Sequence, residues 1–202
     1  MENKGFVSLA WRALYRARIP ILTVAVAYFI SVGVGILMVH SGNAFAISTR
    51  DQIVSGAQSS PTLVSLDQGN RLWAALLDFG GNLFAGLGDF LGGLGVVFPY
   101  PFIAYRGWVG GIVSIDGSHA SRLADPGQAA YYLITLVLQL IPYSLAGGAG
   151  VNLGLSLYRS KPYYQGKKWL GVSKEAIWDA LRIFVLVIPL FLIASLWEFL
   201  AV

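Results

Sequence analysis

With 202 residues, 56% of them hydrophobic and 12% charged, the chain is too apolar for an ordinary soluble domain and reads as an integral membrane protein. Its formal charge of +4 does not form a nucleic-acid surface, because most of its 14 Lys and Arg fall in two flanks: Lys4, Arg12, Arg16 and Arg18 early, and Arg159, Lys161, Lys167, Lys168, Lys174 and Arg182 late. The absence of cysteine excludes disulfides, thiolate metal sites and thiol catalysis; with only His40 and His119, a metal centre would need carboxylates, and neither metal nor cofactor is expected.

Residues 1–18 place Phe6, Leu9, Ala10, Ala13 and Leu14 at helical spacing among cations, which predicts a cytoplasmic amphipathic helix lying in the headgroup region. Residues 19–202 are expected to form a single membrane domain, whose first span, 19–39, opens on Pro20. That apolar stretch is longer than the core of a cleavable signal and reads as an anchor, although Ala44, Phe45 and Ala46 offer a cleavage-like pattern. Residues 40–71 are polar, balance Arg50 and Arg71 against Asp51 and Asp67, and are read as an exterior loop.

The glycine-interrupted stretch that follows divides into spans near 72–88 and 91–114, with a tight turn at the cytoplasmic face between them. A short polar loop, 116–127, precedes a long span at 128–158, in which Gln128 to Tyr158 carry no charged side chain. As helix this stretch is about 46 Å long, more than the roughly 30 Å of bilayer hydrocarbon. Residues 159–182 form a cytoplasmic loop, Ser173 caps the last helix, and the final span runs over 183–201 with Pro189 inside it. The predicted fold is all-α: a polytopic bundle of about five spans, N-terminus cytoplasmic, C-terminus exterior.

Asp78, Asp89, Arg106 and Glu198 fall within or near spans, where an ionised group costs several kcal/mol and normally faces protein or water. Arg106 is expected to pair with Asp78 or Asp89, from the preceding helix. Asp89 is expected in the cytoplasmic turn, and Glu198 at the outer interface beside Trp197. Asn82, Gln139 and Asn152 are polar contacts between helices or, with the Pro142 break, the lining of a substrate site. Gly88, Gly92, Gly107, Gly111, Gly147, Gly148, Gly150 and Gly154 form small-residue faces that let helix backbones approach. Their spacing is not that of a dinucleotide fingerprint. No catalytic constellation can be assembled, so an enzyme is not expected.

The order of several pieces carries a resemblance. Gly81, Asn82, Leu83, Phe84 and Ala85 precede Gly86 and Gly88; Arg106 and Gly107 precede Gly110 and Gly111; Gln139 and Pro142 precede the run Ala146 to Gly150. Glu175, Ala176, Asp179, Ala180 and Arg182 then open a helix closing on Trp197 and Glu198. Over roughly residues 70 to 200 this succession resembles the membrane-protein family of stage II sporulation protein M. The family commonly shows His-Gly and then Glu on the central helix, where this chain has Thr135, Leu136 and Gln139, with its proline one residue late. The named member of that family works in a membrane complex that remodels cell wall during spore engulfment, with hydrolysis supplied by partner proteins. Relatives also occur in prokaryotes that make no spores. The resemblance implies a prokaryotic inner-membrane protein.

Two main functions and a weaker third follow as expectations. One is a non-enzymatic subunit or scaffold whose glycine faces pack against itself or other membrane proteins. The other is a small homo-oligomeric transporter or channel using Asp78, Arg106 and Gln139, and a weaker third is an accessory subunit of an energy-transducing complex. The partners expected are the lipid bilayer and other membrane subunits or further copies of the chain, not nucleic acid.

Overall fold

The computed structural model describes residues 5–158 and 163–201. Lys4, Arg159 and Lys161, three of the flanking cations, lie outside the described residues. Seven helices carry the fold: α1 (Phe6–His40), α2 (Ala44–Gln58), α3 (Pro61–Asp67), α4 (Arg71–Gly92), α5 (Pro99–Ile112), α6 (Pro126–Tyr158) and α7 (Lys174–Leu200). A 3-10 turn, Gly93–Gly95, follows α4, and a minimal hairpin pairs Lys168–Trp169 with Val172–Ser173 before α7. The chain is all-α apart from that hairpin. Helices α1, α6 and α7 are each long and apolar enough to cross a bilayer.

Local chemistry explains the element ends. Asn43, Ser60, Asn70 and Ser173 accept hydrogen bonds from the first-turn amides of α2, α3, α4 and α7, so the expected Ser173 cap is present, at 3.2 Å from the Glu175 amide. Gly42 and Gly69, at φ +76° and +79°, turn the chain between α1 and α2 and between α3 and α4. The stretch read as an exterior loop is therefore mostly helix.

Residues 6–18 are not a separate interfacial helix. They continue into the span, because Ala10, Ala13 and Ala17 form a small buried face; Ala13 and Ala17 share a core with Ala176 and Ala180 of α7. Pro20 withholds one amide donor from the helix ladder without ending it. The break between the second and third predicted spans falls at 93–98, later than expected, since α4 runs to Gly92. Helix α5 has 14 residues, about 21 Å of helix, and is shorter than the stretch expected at 91–114.

Five helices run between the same two ends. Helix α5 lies along α1 in parallel, with Ile103, Gly107 and Gly111 packed against Val24, Tyr28 and Val32. Helices α4 and α6 run the other way, and α7 returns beside them. One end holds the start of α1, the 93–98 turn, the close of α6 and the hairpin. The other holds α2, α3, the 113–125 connection and the close of α7. The outward side chains of α1, including Leu22, Val26, Phe29 and Val34, are apolar and exposed, as a lipid-facing surface requires.

Candidate functional site

Helix α5 follows α1 closely but touches α4 and α6 sparsely, which leaves a cleft between α5 and the group formed by α4, α6 and α7. The cleft has a volume of about 990 Å³. Its mouth lies at the end capped by α3, among Asp67, Arg71, Arg122 and Phe199. From there it descends past Tyr131, Tyr132, Thr135 and Gln139 to Asn82, Arg106 and Tyr143. Tyr131 and Tyr143 are about 18 Å apart along α6 at the rise of a regular helix.

A continuous polar chain forms the floor. The Arg106 guanidinium donates to the Tyr143 hydroxyl at 3.1 Å and sits over its ring, 4.6 Å from the centroid. Tyr143 donates to Asn82 Oδ1 at 2.6 Å, and Asn82 Nδ2 donates to Asp78 Oδ2 at 2.8 Å. Ser195 of α7 donates to the same Asp78 oxygen at 2.6 Å. Asp78 and Asn82 are one turn apart on α4, so a single helix face presents both. Four helices are thereby joined by one donor-acceptor sequence.

Arg106 completes its contacts with Asp89, whose side chain is 3% exposed and whose Oδ2 is 3.6 Å from Nε. The pair is an ion pair without a hydrogen bond, since neither atom has a hydrogen-bond partner. Of the two partners expected for Arg106, Asp89 makes the ion pair, while Asp78 is reached through Tyr143 and Asn82. Asp89 is not in a turn: it lies inside α4, because the helix continues a full turn further than expected. The Arg106 side chain retains 31% exposure, in the cleft it lines.

Glu198, near the close of α7 and next to Trp197, turns inward. It lines the cleft, where its Oε2 accepts from Gln139 Nε2 at 3.1 Å. Its backbone carbonyl accepts from the Tyr131 hydroxyl at 2.5 Å, and the Tyr131 ring stacks on Trp197. The amide oxygen of Gln139, Oε1, is buried without a hydrogen-bond partner among the described residues. Tyr132 closes the wall by donating to the Gly110 carbonyl.

Asn152 belongs elsewhere. Fully buried near the opposite end, it donates to Tyr164, which donates to Asp179; Asp179 also receives Arg16 at 2.9 Å and Arg182 at 3.0 Å. Burial raises the Tyr164 hydroxyl above its ordinary value. This cluster ties α1, α6 and α7 together near the hairpin.

The glycines separate likewise. Gly107 and Gly111 bring α5 against the α1 backbone at Tyr28 and Val32, and Gly150 and Gly154 receive the turn at Phe90, Gly93 and Leu94. A methyl at Gly148 would meet the Ile21 Cα at 2.5 Å, and one at Gly147 the Ile103 side chain at 2.7 Å. These faces are occupied within the chain. Gly88 instead has open space before it, and Gly92 meets only its neighbour Phe98, so neither packs helices together here.

At the mouth, Asp116 accepts from the Ser118 hydroxyl at 2.6 Å and from the amides of Ser118 and Ala120, and these bonds hold its carboxyl below the usual carboxylate range. The turn so formed returns the chain to bond Arg122 N to Ser114 O at 2.8 Å, which sets Arg122 beside the cleft. Tyr143, Ser195, Tyr131 and Arg122 were absent from the sequence-derived set. The available signals were spacing, Ser195 lying one turn before Glu198 and Tyr143 one turn after Gln139.

No protein-family model matches the chain, nor does any curated protein or solved structure.

Proposed function

We propose that this chain is a small membrane transport protein or channel that admits an ion or solute from one side into the polar cleft. The observation that carries the reading is the cleft floor, where Arg106, Tyr143 and Asn82 lead to Asp78 and Ser195 behind it and so join four helices by side-chain hydrogen bonds. Polar and ionisable groups inside a membrane are costly and tend to mark pathways. Beyond the floor the opposite half contains an apolar core that includes Ala13, Phe90, Ala149, Leu153 and Ile183. A polar cleft that ends against such a core is what one state of an alternating path would present.

In this reading the described cations at the α1 start and the hairpin put that end in the cytoplasm, and the cleft opens outward. The chain then crosses the inner membrane of a prokaryote five times, with α4 and α5 as the shorter crossings. Of the residues behind the resemblance to stage II sporulation protein M, Asn82 and Glu198 line the cleft, and so do Arg106 and Gln139, which stand where that family commonly has other residues. Five helices scarcely enclose a complete path, so a homo-oligomer is part of the proposal.

The test is flux. Purified protein reconstituted into liposomes should move at least one member of a panel of inorganic ions and small polar solutes, and Asp78→Asn and Arg106→Gln should each reduce the rate. Absence of movement under either gradient polarity rejects transport.

One observation favours the subunit reading as a second possibility. On the outer face of α4, exposed Phe84 stands between Gly81 and Gly88, both with open space before them. Such a face accepts another helix at close range. Gentle extraction followed by native mass measurement decides it: a stoichiometric foreign chain supports a subunit, and a lone monomer rejects it.

A further inference from the structure

Three carboxylates and one guanidinium occupy the interior between the two charged ends: Asp78, Asp89 and Glu198 against Arg106. The guanidinium is already matched by Asp89 at 3.6 Å. Asp78 is satisfied by neutral donors, Ser195 and Asn82, and does not line the cleft. Glu198 does line it, and among the described residues no ion pair includes Glu198. A carboxylate enclosed by protein needs a counter-charge or a strong donor, and here its hydrogen bond comes from the neutral Gln139 amide while Arg122 acts on it without an ion pair.

Two further features narrow what could complete it. The free oxygen of Gln139 is a buried acceptor with no donor, so a guest at this wall meets acceptors on two side chains. Tyrosines line the same space, Tyr28, Tyr131, Tyr132 and Tyr143 among them, and aromatic faces attract cations within about 6 Å. The volume of about 990 Å³ suits a small molecule. An anion placed here would face Glu198 and an orphaned acceptor together.

We propose that the cleft binds a small organic ammonium ion, held by the Glu198 carboxylate, the Gln139 side-chain oxygen and the surrounding tyrosine rings. The proposal rests on the cleft being a site for a guest, and adds the guest's charge and class. Its rival is a carboxylate drawn by Arg106 or by Arg71 and Arg122 at the mouth.

The experiment is isothermal titration of the full chain in nanodiscs with three isosteres: phenethylammonium, 3-phenylpropanol and 3-phenylpropionate. Butylammonium and tetramethylammonium extend the cationic arm. The expected result is binding of at least one ammonium with the neutral and anionic isosteres weaker by about tenfold or more. Glu198→Gln should remove that preference. If that variant does not fold, Gln139→Ala stands in and should weaken ammonium binding alone. Failure of every ammonium to bind, equal affinity for the alcohol, or a preference for the carboxylate that Arg106→Gln abolishes would each overturn the proposal. Liposome flux separates the two claims. Ammonium binding without flux leaves the ligand class standing and rejects transport, while flux of another solute without ammonium binding does the reverse.

Discussion

The Tyr143 hydroxyl stands between Arg106 and Asn82, accepting from the guanidinium at 3.1 Å and donating to the amide oxygen at 2.6 Å. It is the only atom that links the Arg106–Asp89 pair to the Asp78–Ser195 pair among the bonds described. Its ring also packs edge-on against Phe191 of α7, 4.7 Å between centroids, so the hydroxyl is held in place by apolar contact rather than by its bonds alone.

Tyr143→Phe keeps that ring and removes the relay. The Asn82 oxygen and the Arg106 donor would each lose a partner, at a cost of about 1–3 kcal/mol for buried groups left unsatisfied. Thermal unfolding in detergent should show the loss, and transport, where measured, should fall further than stability. A variant as stable and as active as the parent would remove Tyr143 from the proposed pathway.

Gly111 and Gly88 should respond in opposite ways to the same added methyl. At Gly111 it would run into the Val32 carbonyl and lie 2.8 Å from the Gly35 Cα, both backbone, which cannot rotate away. Gly111→Ala should cost about 1–3 kcal/mol through overpacking and spread α1 from α5. Gly88→Ala has room and adds helix propensity, so its monomer should unfold at the same temperature or slightly higher. If Gly88→Ala changes only the oligomeric mass, the outer α4 face is an interface.

Asp179 receives two arginines from different helices, and its removal should be felt on both. Asp179→Asn leaves Arg16 and Arg182 facing each other without their shared carboxylate, and breaking such a partly enclosed pair costs less than the roughly 3–5 kcal/mol of a fully buried one. The expected site of damage is the first half of α1, which should become open to proteolysis before the rest. A double-mutant cycle with Arg16→Gln should return a favourable coupling, and additivity within about 0.5 kcal/mol would show that the bridge holds nothing together.

The Asp116 turn predicts a pH dependence confined to the mouth. Its carboxyl is held below its ordinary value by the bonds from Ser118 and Ala120, so its contribution is complete above the unfolded carboxylate pKa and disappears as pH falls through the lower folded value. Protection factors of the amides in residues 114–122, taken relative to intrinsic exchange at each pH, should therefore fall in acid while α6 stays protected. Asp116→Ala should show that loss of protection already at neutral pH, and equal protection in both proteins would mean the turn is held by other contacts.

Membrane character, the apolar helices, the Ser173 cap and the charged end formed by Arg12, Arg16, Arg18 and Lys167 to Lys174 follow from the sequence by itself. Each depends on local composition: a long apolar run crosses lipid, a serine caps the helix behind it, and cations collect at one end. Asp78, Arg106, Gln139 and Glu198 were likewise conspicuous one by one, as polar groups where hydrocarbon was expected. What only the tertiary structure decided is who faces whom. Arg106 of α5 meets Asp89 of α4, Gln139 meets Glu198 across the cleft, Asn152 joins a separate cluster with Asp179, and most of the glycine faces are filled from within. The reason is rotational. Helices α1, α6 and α7 are apolar on the side toward lipid as well as on the side toward protein, so periodicity does not set their orientation about their own axes. That orientation, and the vertical register between α4, α6 and α7, come from close packing at Gly86, Gly148 and Gly150, which is visible only once the helices have met.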